Sequence, residues 1–465
     1  MKKSFKLLAM VLCLVMFFQS SISALAAFDS SSLTKEEWDV VYSSLRDENT
    51  LPTLCVGANE TELNICWHAN KETAVPQVRL SESIAMADYT VFEGETTPAE
   101  TEDQLVCRVT ITGIEENTVY YYQWHTDDGW SSPYKYESNS FDSYKMMVIG
   151  DIQIGGQSYD NPEEQSRIGY VWQSVLDEAL TQNPDISFLL SPGDNTSTGN
   201  AADEWQTLLM PEYTRSLPLA LAIGNHDKKG KMYEYYTHMP NEYFGNFTGI
   251  DRDFWFRYGD ALYLVFDATS GSAADHKDMA EEAVNANPDA KWRIGVMHQG
   301  LYAPGIATLE PETNILLNGI FQPIFSMYDL DIVFTGHTHI QGRSNFIKDG
   351  IVAGEAKSGK TYRNPEGIIY LNSNACCDQG TAGYFSNITA YAFEEGDTVT
   401  YTTVEFDSTT MSVKTFRGDN SELLDSITIE KDVEPKNDMD ALRSLIYKII
   451  EILGALYVKI DNMKK

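Results

Sequence analysis

Five stretches of this chain share one layout, an apolar run that ends in a turn carrying carboxylate, amide or imidazole groups. That repetition narrows the possible folds more than any other feature of the sequence. The stretches are Val148-Ile149-Gly150-Asp151-Ile152-Gln153, Leu189-Leu190-Ser191-Pro192-Gly193-Asp194-Asn195, Ala222-Ile223-Gly224-Asn225-His226-Asp227, Gly295-Val296-Met297-His298-Gln299 and Val333-Phe334-Thr335-Gly336-His337-Thr338-His339. Helical patterns fall between them. Asn161-Pro162-Glu163 supplies a cap, a first-turn proline and an acid, and Ile168, Val171, Trp172, Val175, Leu176, Ala179 and Leu180 then repeat on one face. Glu312 to Tyr328 reads as a second helix, and Leu262 to Phe266 as a further strand. Strands alternating with helices predict a layered α/β domain, in which residues just past successive strand ends gather in one crevice.

The flanks follow other patterns. Lys2, Lys3 and Lys6, the apolar run Leu7 to Phe18 and Ala24-Leu25-Ala26 predict a secretory signal peptide over 1–26. A short helical segment lies in 27–50, with Trp38, Val41 and Leu45 at helical spacing. Residues 51–142 turn to period two, rich in Val, Thr, Tyr and Trp, and predict an all-β sandwich. The α/β domain occupies 143–432, ending in β-like runs from Ile368 onward. In 433–465 a linker leads to an amphipathic helix whose stripe includes Leu442, Leu445, Ile449, Leu453 and Leu456; this helix is a candidate for self-association or surface contact.

The formal net charge of −34 removes any general attraction for nucleic acid or anionic membranes. No stretch past the signal has the ~20 apolar residues of a membrane span, so the expected product is exported, either secreted or at the cell surface. Beyond the signal the chain holds five cysteines: Cys55, Cys66, Cys107, Cys376 and Cys377. That count is odd and thinly spread, which excludes a disulfide framework. Cys55 and Cys66 flank a turn at Asn59 to Glu62, where a cross-strand bridge and two free thiols are both open.

Carboxylate and amide oxygens mixed with imidazole nitrogens suit Fe, Mn, Zn or Mg-like ions, and the lack of cysteine among them argues against a structural zinc centre. Two cations about 3.5–4 Å apart need a bridging carboxylate, for which Asp194 is the candidate. Such a pair lowers the pKa of a bridging water and clamps phosphoryl oxygens during in-line attack, so the expected reaction is hydrolysis of a phosphate ester.

With these residues in order, the chain resembles the calcineurin-like metallophosphoesterases, and most of all their purple acid phosphatase branch. G-D-x stands at Gly150, G-D-x-x at Gly193, G-N-H-[DE] at Gly224 and G-H-x-H-x-x-x-R at Gly336 to Arg343. The V-x-x-H block is matched loosely, with Val296 two places before His298. The resemblance implies two mixed β-sheets flanked by helices, preceded by a fibronectin type III-like sandwich. It also implies two divalent or trivalent ions (Fe, Mn or Zn), one held by Asp151, Asp194 and His339 and the other by Asp194, Asn225, His298 and His337. His226 would then protonate the leaving oxygen or stabilise the phosphoryl charge, oriented by Asp227. The family has histidine where this chain has Gln153, so a nitrogen ligand is replaced by a weaker amide or by nothing. Asn195-Thr196-Ser197-Thr198 holds no tyrosine to give a ferric chromophore, so a colourless enzyme is expected. Asn195, Tyr302, Tyr159 and Arg343 are candidate substrate contacts. The expected function is an exported two-metal phosphoesterase acting on small phosphorylated substrates, monoesters before diesters. A phosphodiesterase or nucleotidase, and a non-catalytic exported binding protein on a degenerate phosphatase fold, are the alternatives.

Overall fold

The computed structural model describes residues 33–156, 161–245, 252–302, 311–376, 389–392 and 399–431. The signal peptide, Tyr159 and the linker with its amphipathic helix lie outside these.

Helix α1 (Lys35–Leu45) is capped by Thr34 and Glu37 and buries Trp38 and Tyr42. Nine strands follow: β1 (Thr53–Val56), β2 (Glu62–Asn70), β3 (Gln77–Ser81), β4 (Thr90–Glu93), β5 (Glu95–Pro98), β6 (Gln104–Thr112), β7 (Val119–Thr126), β8 (Gly129–Trp130) and β9 (Tyr134–Glu137). They form a β-sandwich. One layer is β4-β3-β7-β8 with β9 on β7, and the other is β1-β2-β6-β5. Leu63, Ile65 and Trp67 of β2 meet Val78, Tyr122 and Trp124 in the core between the layers. Cys55 and Cys66 are both free and buried; Cys55 stands opposite Asn64, and Cys66 opposite Thr53.

The α/β region continues with β10 (Tyr144–Val148), α2 (Pro162–Gln182), β11 (Ile186–Ser191), α3 (Ala202–Leu209), β12 (Leu219–Leu221), α4 (Met232–Tyr236), β13 (Phe254–Tyr258), β14 (Ala261–Phe266), α5 (Ala273–Ala286), β15 (Trp292–Gln299), α6 (Pro311–Met327) and β16 (Ile332–Gly336). After it come β17 (Gly342–Ser344), the hairpin β18 (Phe346–Lys348) and β19 (Ile351–Gly354), β20 (Lys360–Arg363), β21 (Ile369–Asn372), β22 (Thr389–Ala392), β23 (Thr400–Phe406), β24 (Thr410–Arg417) and β25 (Leu423–Glu430).

Two mixed sheets result. The first has the order β20-β25-β24-β23-β10-β11-β12-β1-β2-β6-β5, and the second β13-β14-β15-β16-β21-β17-β22. The first sheet runs without a break into the N-terminal sandwich, because β1 pairs in parallel with β12 at Cys55 and Leu219. Between the two large sheets, Met146, Phe188, Tyr263, Val296 and Phe334 share one core, and the Tyr144 and Tyr263 hydroxyls meet across it at 2.7 Å. On the outer face of the second sheet, Leu262, Leu264 and Phe266 pack with Met279, Phe321 and Phe325. A strand buried on both faces has no polar side to display, which is why β14 reads as a continuous apolar run.

Helix α2 starts where Asn161 accepts the Glu163 and Glu164 amides, with Pro162 in the first turn. Its buried face holds Ile168, Trp172, Val175, Leu176 and Ala179. Among the described residues no helix is long and apolar enough to cross a membrane.

Candidate metal centre

Parallel pairing of β10 with β11 and of β11 with β12 in one sheet, and of β15 with β16 in the other, brings the ends of those strands together. Asp151 follows β10, Asp194 follows β11, Asn225 and His226 follow β12, His298 is near the end of β15, and His337 and His339 follow β16. Asp194, His298 and His337 present ligand atoms all within 4.8 Å of one another. His298 Nε2 lies 3.0 Å from Asp194 Oδ2 and 4.0 Å from Asp151 Oδ1, and His339 Nε2 lies 3.3 Å from Asp151 Oδ1.

The turns are shaped by close approach. The Asp194 carboxylate sits on Gly224, where a Cβ would come within 2.1 Å of Oδ1, and the Asp151 carboxylate sits on Gly336, where a Cβ would come within 2.3 Å of Oδ2. Each carboxylate then takes the amide of a following histidine. His226 N donates to Asp194 Oδ1 at 2.8 Å, and His337 N donates to both Asp151 oxygens at 3.0 Å. Asp151, Gln153, Asp194, His337 and His339 all have positive φ, between 46° and 73°. Left-handed backbone costs a non-glycine residue about 1–3 kcal/mol, and it concentrates where surrounding structure demands a particular side-chain direction.

The donor set fits cations. Gln153 Oε1, Asn225 Oδ1 and His298 Nε2 are buried and make no hydrogen bond, although His298 is within ion-pair distance of Asp194. Polar atoms left bare in a buried site are costly unless something else takes them. Two carboxylates also favour positive charge at their centre. Burial opposes charge on His298, but the Asp194 and Asp151 carboxylates outweigh it and push the imidazole up to about 9. Burial would raise Asp194, yet His298 and His226 hold it down to about 2. His337, partly buried and beside His298, falls to about 4.

Comparison with known proteins identifies the two domains around this site. Residues 144–341 match the calcineurin-like phosphoesterase family model, and residues 51–138 match the purple acid phosphatase N-terminal domain. The chain thus carries a calcineurin-like phosphoesterase domain behind a purple acid phosphatase N-terminal domain. Purple acid phosphatase 1 of Ipomoea batatas is 26% identical over 260 residues, which are 52% of this chain and 52% of that protein, so the match spans about half the relative's length. Purple acid phosphatase PPD1 from yellow lupin (Lupinus luteus) seeds has the same fold, with a TM-score of 0.67 at 15% identity over 83% of this chain and 75% of that one. A structure of PhoD superimposes with a TM-score of 0.52 at 9% identity, over 86% of this chain and 99% of that one. A calcineurin-like phosphoesterase of this branch implies a dinuclear metal centre.

Four residues expected at the phosphoesterase site do other work. Asp227 does not orient His226. Its carboxylate is fully buried and accepts the amides of Gly224 (2.9 Å), Asn195 (3.1 Å) and Thr196 (3.0 Å), with the Asn195 and Thr196 side chains. Burial and the nearby Asp194 raise its carboxyl to about 6. The His226 ring is held instead by the Ser197 carbonyl, 2.8 Å from Nδ1. Asn195, expected at the substrate, is fully buried and bonds the Ala222 carbonyl as well as Asp227. Arg343 is 1% exposed and forms a bidentate pair with Asp425, at 2.6 and 3.1 Å, with a further bond to the Ala356 carbonyl. Tyr302 packs against Tyr370 and donates to Gln322 Oε1 at 2.8 Å.

Asn372, not foreseen, clamps the histidine loop. Its amide nitrogen donates to Thr338 Oγ1 (2.9 Å) and the Ile340 carbonyl (2.8 Å), and its oxygen accepts from Thr335 Oγ1 (2.9 Å). The signal was present in Ile369-Tyr370-Leu371-Asn372-Ser373-Asn374, which repeats the layout of an apolar run ending in amides.

Proposed function

We propose that this chain is an exported two-metal phosphoesterase that hydrolyses small phosphate esters, monoesters before diesters. The observation that carries the reading is the convergence of Asp194, His298 and His337 within 4.8 Å, flanked by Asp151 and His339. Asp151, Asp194 and His339 would hold one ion, with the bare amide oxygen of Gln153 beside them. Asp194, Asn225, His298 and His337 would hold the second. If bound there, a pair of Fe, Mn or Zn ions would supply Lewis acidity and lower the pKa of water near them toward neutral.

The protein's own groups do the rest. Asp194, fixed by the His226 amide, spans both ligand sets. His226 is partly exposed, and its Nδ1 is committed to the Ser197 carbonyl, which leaves Nε2 as the nitrogen that would pass a proton to the departing oxygen. The purple acid phosphatase names of the Ipomoea and lupin proteins favour monoesters, and the N-terminal sequence pattern favours export. No tyrosine stands in 195–198, so the protein is expected to be colourless.

Elemental analysis alongside a phosphate ester panel tests the reading. Two transition-metal ions per chain, with faster hydrolysis of p-nitrophenyl phosphate than of its bis ester, are expected. Faster diester hydrolysis reassigns the substrate class, and one or no ion with no turnover overturns the proposal.

A further inference from the structure

We propose that Glu204 is a positioning residue that fixes the Ser197 carbonyl, and through it the tautomer and aim of His226. The inference rests on the phosphoesterase reading for its kinetic consequence and on geometry for the rest.

Four consecutive amides after Asp194 are divided between two buried carboxylates. Asn195 and Thr196 donate to Asp227, at 3.1 and 3.0 Å, and Ser197 and Thr198 donate to Glu204 Oε2, at 2.9 and 2.8 Å. Glu204 is 4% exposed and sits in the first turn of α3, whose cap residue Ala201 offers no side-chain bond. Its other oxygen faces the turn after Asp151, where a Cβ on Gly155 would come within 2.2 Å of Oε1. The carboxylate is therefore wedged between the two turns that deliver Asp151 and Asp194. Ser197 is bound on three sides: its amide also reaches the Ile154 carbonyl (2.8 Å), its hydroxyl reaches the Gln153 carbonyl (3.1 Å), and its carbonyl meets His226 Nδ1 (2.8 Å).

A carbonyl oxygen only accepts, so Nδ1 must carry a hydrogen and Nε2 is the nitrogen left to exchange a proton. Where many metal-site histidines lean on a carboxylate, this one leans on a backbone carbonyl, and the carboxylate acts one step further back. Without Glu204 the Thr198 amide has no acceptor, the Ser197 amide keeps only Ile154, and the carbonyl is free to swing from the ring.

The test uses the full metal-loaded chain with Glu204→Ala, Glu204→Asp and Glu204→Gln. Esters with a poor leaving group (phenyl phosphate) need the proton, and esters with a good one (2,4-dinitrophenyl phosphate) do not. In E204A, kcat on phenyl phosphate is expected to fall about 100-fold, kcat on the dinitrophenyl ester less than about 3-fold, and KM to change less than about 2-fold. E204Q keeps an acceptor oxygen and is expected to restore the phenyl rate. E204D, too short to reach both amides, should show the same leaving-group split more mildly, and it carries the comparison if E204A does not fold. Equal losses on both esters, or none, overturn the proposal. In parallel, ¹⁵N-histidine spectra of the zinc-loaded protein, with His226 assigned by His226→Asn, should show Nδ1–H in wild type and E204Q and mixed tautomers in E204A. An unchanged tautomer in E204A overturns the positioning role. A wild type inactive on every ester overturns the phosphoesterase reading alone, because the spectra still decide this one.

Discussion

Arg343 and Asp425 provide a sharp test of a structural assignment against a substrate-binding one. The pair is 1% and 4% exposed, is joined by two bonds of 2.6 and 3.1 Å, and ties the segment after His339 to β25. Removing one partner strands a buried charge, so Arg343→Met and Asp425→Leu should each cost about 3–5 kcal/mol. The double variant removes both charges and strands the Ala356 carbonyl, at about 1–3 kcal/mol. The single variants would sum to about 6–10 kcal/mol if the two sites were independent, so the coupling is expected to be large. Urea unfolding followed by tryptophan fluorescence gives the cycle, and KM for p-nitrophenyl phosphate is measured on the same proteins. Additive losses would refute the ion pair. A tenfold rise in KM in an R343M/D425L protein of near-native stability would return Arg343 to the substrate.

Three further outcomes are expected. Gly224→Ala places a methyl 2.1 Å from Asp194 Oδ1 and 2.3 Å from its amide, neither of which can retreat, so metal affinity should fall at least about 10-fold by competitive zinc titration. Asn372→Ala unclamps Thr338 and Ile340 and should weaken zinc binding about 10- to 100-fold while leaving the circular dichroism spectrum unchanged. Burial holds His68 down to about 4 against Tyr236. The unfolded chain takes up this proton near 6.5 and the fold does not, so stability is full above that value and falls as pH drops from 6.5 toward 4, by up to about 3 kcal/mol. His68→Gln should flatten melting temperature against pH in that window, and an unaltered slope would assign it to other groups.

What was legible in the sequence follows from burial. Strands covered on both faces leave long apolar runs, and glycines forced by carboxylate contact precede the polar turns, so Asp151, Asp194, His298, His337 and His339 could be gathered before any coordinates. Helix α5 escaped notice because its buried face is small, with Met279, Ala280 and Ala283 among acids and alanines. Strand β13 alternates as Phe254, Phe256 and Tyr258 buried with Trp255 and Arg257 less so, but five residues between unpatterned stretches offer little contrast. The misassigned residues share another cause. Arg343 finds its partner 82 positions away, and the atom that holds His226 is a backbone carbonyl, which no residue identity announces.

The parallel seam between β12 and β1 makes the N-terminal module part of the wall behind the candidate site. The strand that hands Asn225 and His226 to the crevice is only three residues long, wholly buried, and flanked by β11 on one side and the module on the other. A fragment starting after residue 142 would leave that strand with a raw margin of unpaired peptide groups beside Asn225 and His226, inviting a foreign strand to fill the gap. Excising the front of the chain is thus amputation, and grafting a different module there would require matching one ladder register at Leu219.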